Sequence, residues 1–304
     1  MRLLITGAVS VLSVLAVLRT SDAAAQQPRP MKVFISVDME GIAGVVTGEQ
    51  LGTTGFEYQR AREWMTGEAM AAIDGAKEAG ATEIVVADSH GNGQNLLIDR
   101  FPMDVTVIRA WPRPLGMMQG IDSSFAAAIF IGYHSSTANP DGVRAHTFSS
   151  ASYHSFKANG KELSEGGWNA MIAGYYGVPV VLISGDESAI ADLKAVAPDV
   201  EGAIIKHSIS FHSAATATPA ASQALIKLRV KAALSRTGTI KPVAKVSPVT
   251  VDLTFKNYQP SQVLAFLPLF TRVGSHGIRF TGKDIIEAQR IMQFISAYEP
   301  GLSP

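Results

Sequence analysis

Three apolar segments of this chain each run into an acidic residue or a histidine, and this repeated pattern is the strongest constraint on its fold. The segments and their ends are residues 33–37 with Asp38-Met39-Glu40-Gly41, residues 83–87 with Asp88-Ser89-His90, and residues 126–131 with Gly132-Tyr133-His134. Helical patterns alternate with such segments, as in the βαβ units of a parallel sheet. The ends of the strands in a parallel sheet are where ligands gather, so the pattern also predicts a site.

Asp38 and Glu40 are the most informative pair in that pattern. Side chains two residues apart on a strand point to the same face, so both carboxylates should lie at one spot. Two buried carboxylates repel each other and lose hydration, and they therefore require a metal ion, a shared proton or basic partners. A single acid at a strand end is often only a helix cap or a turn residue. The repetition at His90 and His134 favours a metal site.

Five motifs in chain order carry a family resemblance that runs from about Met31 to about Ala297. They are Ser-Val-Asp-Met-Glu-Gly at 36–41, Asp-Ser-His at 88–90, Gly-Tyr-His at 132–134, Gly-Val-Arg-Ala-His at 142–146 and Glu-Gly-Gly-Trp-Asn-Ala at 165–170. Together they resemble the zinc-dependent D-aminopeptidases of the DppA type, which are named for a dipeptide-transport operon. The opening hexapeptide is the most specific of the five.

The resemblance implies a set of site residues and a cofactor. The family binds two zinc ions per subunit, and the matching ligand positions are Asp38 as the bridge, Glu40, His90, His134 and Glu165. The family's catalytic histidine, often described as a nucleophile, matches His146. The family also forms a ring-shaped decamer, so the resemblance implies a homo-oligomer.

The chemistry of these residue types agrees with that implication. The chain has no cysteine, so a zinc site must use His, Asp and Glu, as catalytic sites typically do. Two ions ~3.5–4 Å apart can share a water, lower its pKa and polarise the carbonyl that it attacks. Imidazole titrates near neutral pH, which favours His146 as an acid/base or oxyanion stabiliser over a covalent nucleophile.

The function predicted from these observations is that of a dizinc aminopeptidase. It would use a metal-bound water, assisted by His146, to hydrolyse the N-terminal amide bond of short peptides. The preference for D-residues such as D-Ala rests on the resemblance, because no spacing argument fixes handedness. The peptide itself, the metal occupied in the cell and the biological role stay open.

Several neighbours of these motifs have two readings. His154 could line the pocket but is not expected to bind metal. Asp88 could orient a histidine ligand or simply form a turn, and Asp186 is expected to cap a helix. Trp168 is a candidate core residue, and Asn169 is a candidate substrate contact.

Two other classes of protein remain as alternatives. A dinuclear metal phosphoesterase uses similar ligands but usually needs basic residues for phosphate, and only Arg144 is near the motifs. A non-enzymatic exported solute-binding protein has a similar size but no need for five metal ligands. A net charge of zero and a pI near 7.1 give no electrostatic case for binding nucleic acid or an anionic membrane surface.

The fold predicted for the chain is α/β, with a mainly parallel sheet flanked by helices and a smaller C-terminal α+β lobe. At 304 residues, 47% hydrophobic and 17% charged, the chain can bury a sizeable core. The metal-binding catalytic domain is placed at residues 31–215. The smaller lobe is placed at 216–304, with a helix over 219–235 and an alternating strand over 249–255.

The first residues of the chain have the pattern of a secretory signal peptide. Arg2 precedes an apolar stretch over residues 3–18, and Ala23-Ala24-Ala25 is typical of a cleavage site. We therefore expect a signal peptide at 1–25 and a polar linker at 26–30. An exported protein, periplasmic or secreted, with no stable membrane association after cleavage is the resulting prediction.

Overall fold

The computed structural model describes residues 30–298, so the predicted signal peptide and most of the predicted linker lie outside the described residues. In chain order the strands are β1 (Met31–Val37), β2 (Ala81–Asp88), β3 (Val105–Ile108), β4 (Ala127–Tyr133), β5 (Tyr153–Ala158), β6 (Lys161–Glu162), β7 (Val180–Asp186), β8 (Glu201–Ser210), β9 (Ser213–Thr216), β10 (Val249–Phe255), β11 (Thr271–Val273) and β12 (Gly277–Gly282). The helices are α1 (Tyr58–Glu78), α2 (Glu165–Tyr175), α3 (Glu187–Lys194), α4 (Pro219–Ser235), α5 (Gln259–Leu264) and α6 (Ile285–Ala297). None of the helices within residues 30–298 is long and apolar enough to span a bilayer.

A large sheet of seven strands forms the centre of the molecule. Its order is β3-β2-β1-β4-β7-β8-β9, and every neighbouring pair is parallel except β8 with β9. Both faces of the sheet are covered, which explains why β1 is apolar at successive positions. Val33 and Ile35 pack in the core cluster that contains residues of α1 and α4, whereas Phe34 packs in the cluster that contains Trp168.

The register of β1 determines where the predicted ligands meet. Val37 pairs with Asp88 of β2 on one side and with Ile131 of β4 on the other. The residues that follow these three strands therefore leave the sheet at one level, as parallel strands require. The predicted parallel sheet and the convergence of its strand ends are both present in the structure.

Two glycines allow the loop after β1 to cross closely over β4. The Gly41 amide donates to the Gly132 carbonyl at 2.7 Å, and a Cβ on Gly41 would lie 2.1 Å from the Tyr133 carbonyl oxygen. Gly132 has a φ of +71°, and a Cβ there would lie 2.3 Å from the Asp38 carbonyl oxygen. Side chains larger than hydrogen would push the loop and the strand apart.

A second, antiparallel sheet forms the smaller lobe, with the order β11-β12-β10-β5-β6. The alternation predicted for residues 249–255 is confirmed by β10, which buries Val249, Val251, Leu253 and Phe255 while the residues between them are half-buried. Helix α6 packs against β10 and β12 and also against α2. This contact brings the smaller lobe beside the large sheet.

The two sheets do not divide the chain at residue 216, where the boundary between the catalytic domain and the smaller lobe was predicted. Strands β5 and β6, placed in the catalytic domain at 31–215, belong to the second sheet because β5 pairs with β10. Helix α4, placed in the lobe at 216–304, packs on α1 and the large sheet through Ile226 and Val230. Pairing between segments so far apart in the chain leaves no local sequence pattern.

Candidate metal centre

The six residues predicted for the site lie around one cavity of about 440 Å³. Asp38 and Glu40 follow β1, His90 follows β2, His134 follows β4, His146 lies in the loop between β4 and β5, and Glu165 is the first residue of α2. None of the six exposes more than 9% of its surface. Charged and titratable side chains buried this deeply need partners of opposite charge.

Asp38, Glu40 and His90 form one group whose ligand atoms could hold a single ion. The His90 Nδ1 atom lies 2.9 Å from Glu40 Oε2 and 3.4 Å from Asp38 Oδ1. His134, His146 and Glu165 form a second such group. Their closest approaches are 3.5 Å from His134 Nε2 to Glu165 Oε1 and 3.7 Å from His146 Nε2 to the same oxygen.

Asp38 connects the two groups through its two oxygens. Oδ1 faces His90, as above, whereas Oδ2 lies 3.3 Å from His134 Nε2. Asp38 Oδ2 and His134 Nε2 are both buried, and neither has a hydrogen-bond partner within residues 30–298. Buried polar atoms without partners are uncommon and demand an explanation. A cation between these two atoms would satisfy both of them.

Each of the three histidines is oriented by a backbone carbonyl. His90 Nε2 donates to the Leu51 carbonyl at 2.8 Å, and His146 Nδ1 donates to the Arg144 carbonyl at 2.7 Å. His134 Nδ1 donates to the carbonyl of the next residue at 3.0 Å. A carbonyl can only accept, so the proton is fixed on that nitrogen and the other nitrogen faces the carboxylates. Metal-binding histidines are commonly held in this way.

Burial and charge perturb the pKa values of the site. Burial raises the pKa of Asp38, and repulsion by Glu40 raises it further. For Glu40, burial works in the opposite direction to the attraction of His90, and the attraction holds the pKa well below its ordinary value. Burial lowers the pKa of His146, and the charge of His134, whose ring stacks on it at 3.9 Å, lowers it further. Both effects favour the neutral form of His146.

The loop after β1 is held by two buried charged residues that the sequence analysis did not identify. Lys206 on β8 donates to three loop carbonyls, those of Glu40 at 2.5 Å, Ile42 at 3.0 Å and Val45 at 2.6 Å. Glu68 on α1 accepts from the Ala43 amide at 2.9 Å. No motif marks either residue, because each acts on backbone atoms of a distant segment.

The structure separates the two readings of the neighbouring residues. Asp88 accepts from the amides of Asn95 and Leu96, so it organises a turn and does not orient a histidine. His154 is exposed on β5 and does not line the metal cavity.

The structure also gives the positions of three further residues that the sequence analysis named, Asp186, Trp168 and Asn169. Asp186 caps α3 by accepting from the Ala189 amide, as predicted. Trp168 is fully buried in the core. Asn169 lines the metal cavity and donates to the Tyr133 hydroxyl at 3.0 Å.

The fold and the site together describe an α/β protein with a buried carboxylate and imidazole centre at the carboxyl ends of its parallel strands. Such donors suit zinc and other divalent transition metals, and the unpartnered atoms of Asp38 and His134 fit a bound ion. The chain matches the D-aminopeptidase family over residues 31–294, and it belongs to that family.

Comparisons with individual proteins agree with the family. The chain is 32% identical to a D-aminopeptidase of Bacillus subtilis over 263 residues, which cover 86% of this chain and 95% of the relative. It also resembles the solved structure of the Zn-dependent D-aminopeptidase DppA from Bacillus subtilis, described as a self-compartmentalizing protease. The TM-score is 0.84 at 31% identity, with 88% of this chain and 97% of the other covered. The predicted family, α/β fold and enzyme class are confirmed.

Proposed function

We propose that this chain is a dizinc aminopeptidase that hydrolyses the N-terminal amide bond of short peptides, with a preference for N-terminal D-residues such as D-Ala. The observation that carries the proposal is the pair of ligand groups joined by Asp38, whose two oxygens face His90 and His134 separately. Two groups with a shared carboxylate suit two ions. The zinc dependence of the related DppA structure supports the choice of metal.

Five side chains would hold the two ions. Asp38 would bridge them, Glu40 and His90 would complete one side, and His134 and Glu165 would complete the other. When bound, two zinc ions lower the pKa of water and polarise the carbonyl that the water attacks. The protein contributes the fixed orientation of each ligand and keeps the ligand side chains buried.

His146 is assigned to proton transfer. Its Nε2 faces the cavity, and its depressed pKa leaves that nitrogen free to accept a proton. We infer that Nε2 takes the proton released when water attacks the carbonyl carbon and delivers it to the amine nitrogen as the C–N bond breaks. The Arg144 carbonyl keeps the tautomer that this task requires.

His146 also offers a ligand atom close enough to those of His134 and Glu165 for the three to hold one ion together. A role for His146 as a sixth metal ligand is therefore the competing assignment. The metal content of a His146 variant distinguishes the two. A phosphoesterase is disfavoured, because no Arg or Lys lines the described part of the metal cavity. Phosphate oxygens commonly need such cations.

Two further expectations complete the proposal. The protein is exported to the periplasm or secreted after removal of residues 1–25. It assembles as a homo-oligomer, with a decamer as the expected state. The description of the related DppA structure as a self-compartmentalizing protease supports the assembly.

The test uses protein lacking residues 1–25 and supplied with zinc. Elemental analysis should find two zinc ions per chain, and initial rates should be higher for D-Ala amide and D-Ala dipeptides than for their L-Ala counterparts. Equal rates or an L preference would overturn the stereochemical part alone. Phosphoester cleavage without amide cleavage would overturn the whole function.

A further inference from the structure

Gln289 is a polar residue on the buried face of α6. The other buried residues of that helix, Ile285, Ala288, Met292 and Ile295, are apolar, and yet only 2% of the Gln289 surface is exposed. A side-chain amide has two N–H donors and an acceptor oxygen, and a buried one needs partners for them. The partners of Gln289 therefore indicate what a polar group does at this position.

Trp168 fixes the orientation of the Gln289 amide. The Trp168 indole N–H donates to Gln289 Oε1 at 2.5 Å. An indole nitrogen can only donate, so the amide oxygen must face Trp168 and the amide nitrogen, Nε2, must point the other way. Nε2 has no acceptor among residues 30–298, but it remains accessible to a solvent molecule or a ligand.

The free nitrogen belongs to the wall of the metal cavity. Gln289 lines the same cavity of about 440 Å³ as the six residues of the metal centre. Its Nε2 lies beside Gly116, another residue of that wall, where a Cβ would come within 2.5 Å of the nitrogen. The side-chain hydrogen bond of Gln289 within residues 30–298 goes to Trp168 and not to a proposed metal ligand. The cavity therefore presents a fixed hydrogen-bond donor that is separate from the ligands.

A short peptide offers few partners for such a donor. Its N-terminal ammonium group can only donate, and an alanine side chain has no polar atom. Its first carbonyl belongs to the bond that is hydrolysed at the metal centre. The acceptors that remain are the carbonyl or carboxylate oxygens of the later residues, and the second residue is the first to supply one.

We propose that Gln289 determines substrate specificity by donating from Nε2 to the carbonyl or carboxylate oxygen of the second residue of the peptide. The inference rests on the proposed function, because it takes the first carbonyl as the one held at the metal centre. The substrate class is then narrowed to peptides, in preference to simple amides that lack this oxygen.

The test compares D-Ala-Gly with D-Ala isobutylamide, in which two methyl groups replace the two carboxylate oxygens. The ratio of kcat/KM for the dipeptide to kcat/KM for the isobutylamide is measured for each enzyme on one zinc-loaded preparation. The fraction of active enzyme cancels in this ratio. The intrinsic reactivity of the two amides cancels when the ratio is compared between enzymes.

Two variants change the donor. Gln289→Met keeps a side chain of similar length without the donor, so the ratio should fall about tenfold from its wild-type value. Gln289→Glu keeps an oxygen for Trp168 but places a carboxylate against that of the dipeptide, so the ratio should fall further. Both variants should bind as much zinc as wild type in elemental analysis, because Gln289 holds no ion. Gln262→Glu makes the same substitution at an exposed position of α5 outside the cavity, and it should leave the ratio unchanged.

Three results would overturn the inference. A wild-type ratio in Gln289→Met, even with equal losses for both substrates, would limit Gln289 to packing against Trp168 and leave the proposed function standing. A fall of the ratio in Gln262→Glu as large as in Gln289→Glu would show that the effect does not arise in the cavity. Absence of cleavage of both substrates by the wild type would overturn the proposed function and this inference together.

Discussion

Glu68 offers a quantitative test of how the loop that carries Asp38 and Glu40 is supported. Its side chain is fully buried on α1 and accepts from the Ala43 amide and the Ser222 hydroxyl, each at 2.9 Å. Burial raises the pKa of Glu68 from its ordinary value of 4.5 to about 7, although the two hydrogen bonds and the charge of Lys206 lower it. Near neutral pH the carboxyl is therefore close to half-protonated.

The sign of the effect on stability follows from proton binding. Between pH 4.5 and about 7, the folded state holds a proton on Glu68 that the unfolded state has released. The contribution of Glu68 is thus fully present below pH 4.5 and is lost as the pH rises through about 7. A factor of ten in proton affinity corresponds to ~1.4 kcal/mol, so the loss is on the order of 3 kcal/mol.

Glu68→Gln removes this titration and keeps an oxygen that can accept both hydrogen bonds. The free energy of unfolding of the variant minus that of wild type should be larger at pH 8 than at pH 4.5, by on the order of 3 kcal/mol. Urea denaturation at several pH values, at one fixed zinc concentration, measures this difference. Groups that the charge of Glu68 does not reach titrate equally in both proteins and cancel, whereas the pKa of Lys206, which that charge raises, falls in the variant.

Glu63→Gln is the matched control for that measurement. Glu63 lies on the same helix with its side chain 43% exposed and pairs with Arg60 at 2.7 Å, so its replacement should leave the pH profile nearly unchanged. Parallel pH profiles for Glu68→Gln and wild type would refute the reasoning, because they would show that the Glu68 carboxyl is already ionised below neutral pH.

Four further substitutions test the metal centre. Asp38→Ala should lose most bound zinc by elemental analysis, and retention of two ions would remove Asp38 from the bridge. His146→Ala should retain both ions while kcat falls by roughly two to four orders of magnitude, whereas near-normal turnover would show that His146 has no catalytic part. Lys206→Met leaves three loop carbonyls unpaired. It should weaken zinc affinity and lower the free energy of unfolding in urea by ~2–5 kcal/mol. An unchanged zinc Kd would contradict this expectation. Gly132→Ala forces a Cβ against the Asp38 carbonyl and should abolish zinc binding, and a zinc-loaded variant would show that the loop can move aside.

Local patterns in the sequence were sufficient for several secondary-structure elements and for the strand ends at the site. Alternation over residues 249–255 matches β10, because one face of the strand is buried. The ends of β1, β2 and β4 were visible as apolar runs that stop at acids and histidines. Strands in a parallel sheet have one direction, so their ends had to converge.

The sequence by itself indicated the candidates at the strand ends, Asp38, Glu40, His90 and His134, since these depend on residue type and short-range periodicity. Glu165 and His146 entered only through the family resemblance. Only the tertiary structure decided that the oxygens of Asp38 face two different histidines and that Lys206 clamps the loop carrying Glu40. It also decided that β5 pairs with β10. These contacts join segments distant in the chain, and they depend on loop paths and backbone atoms, which residue type does not encode.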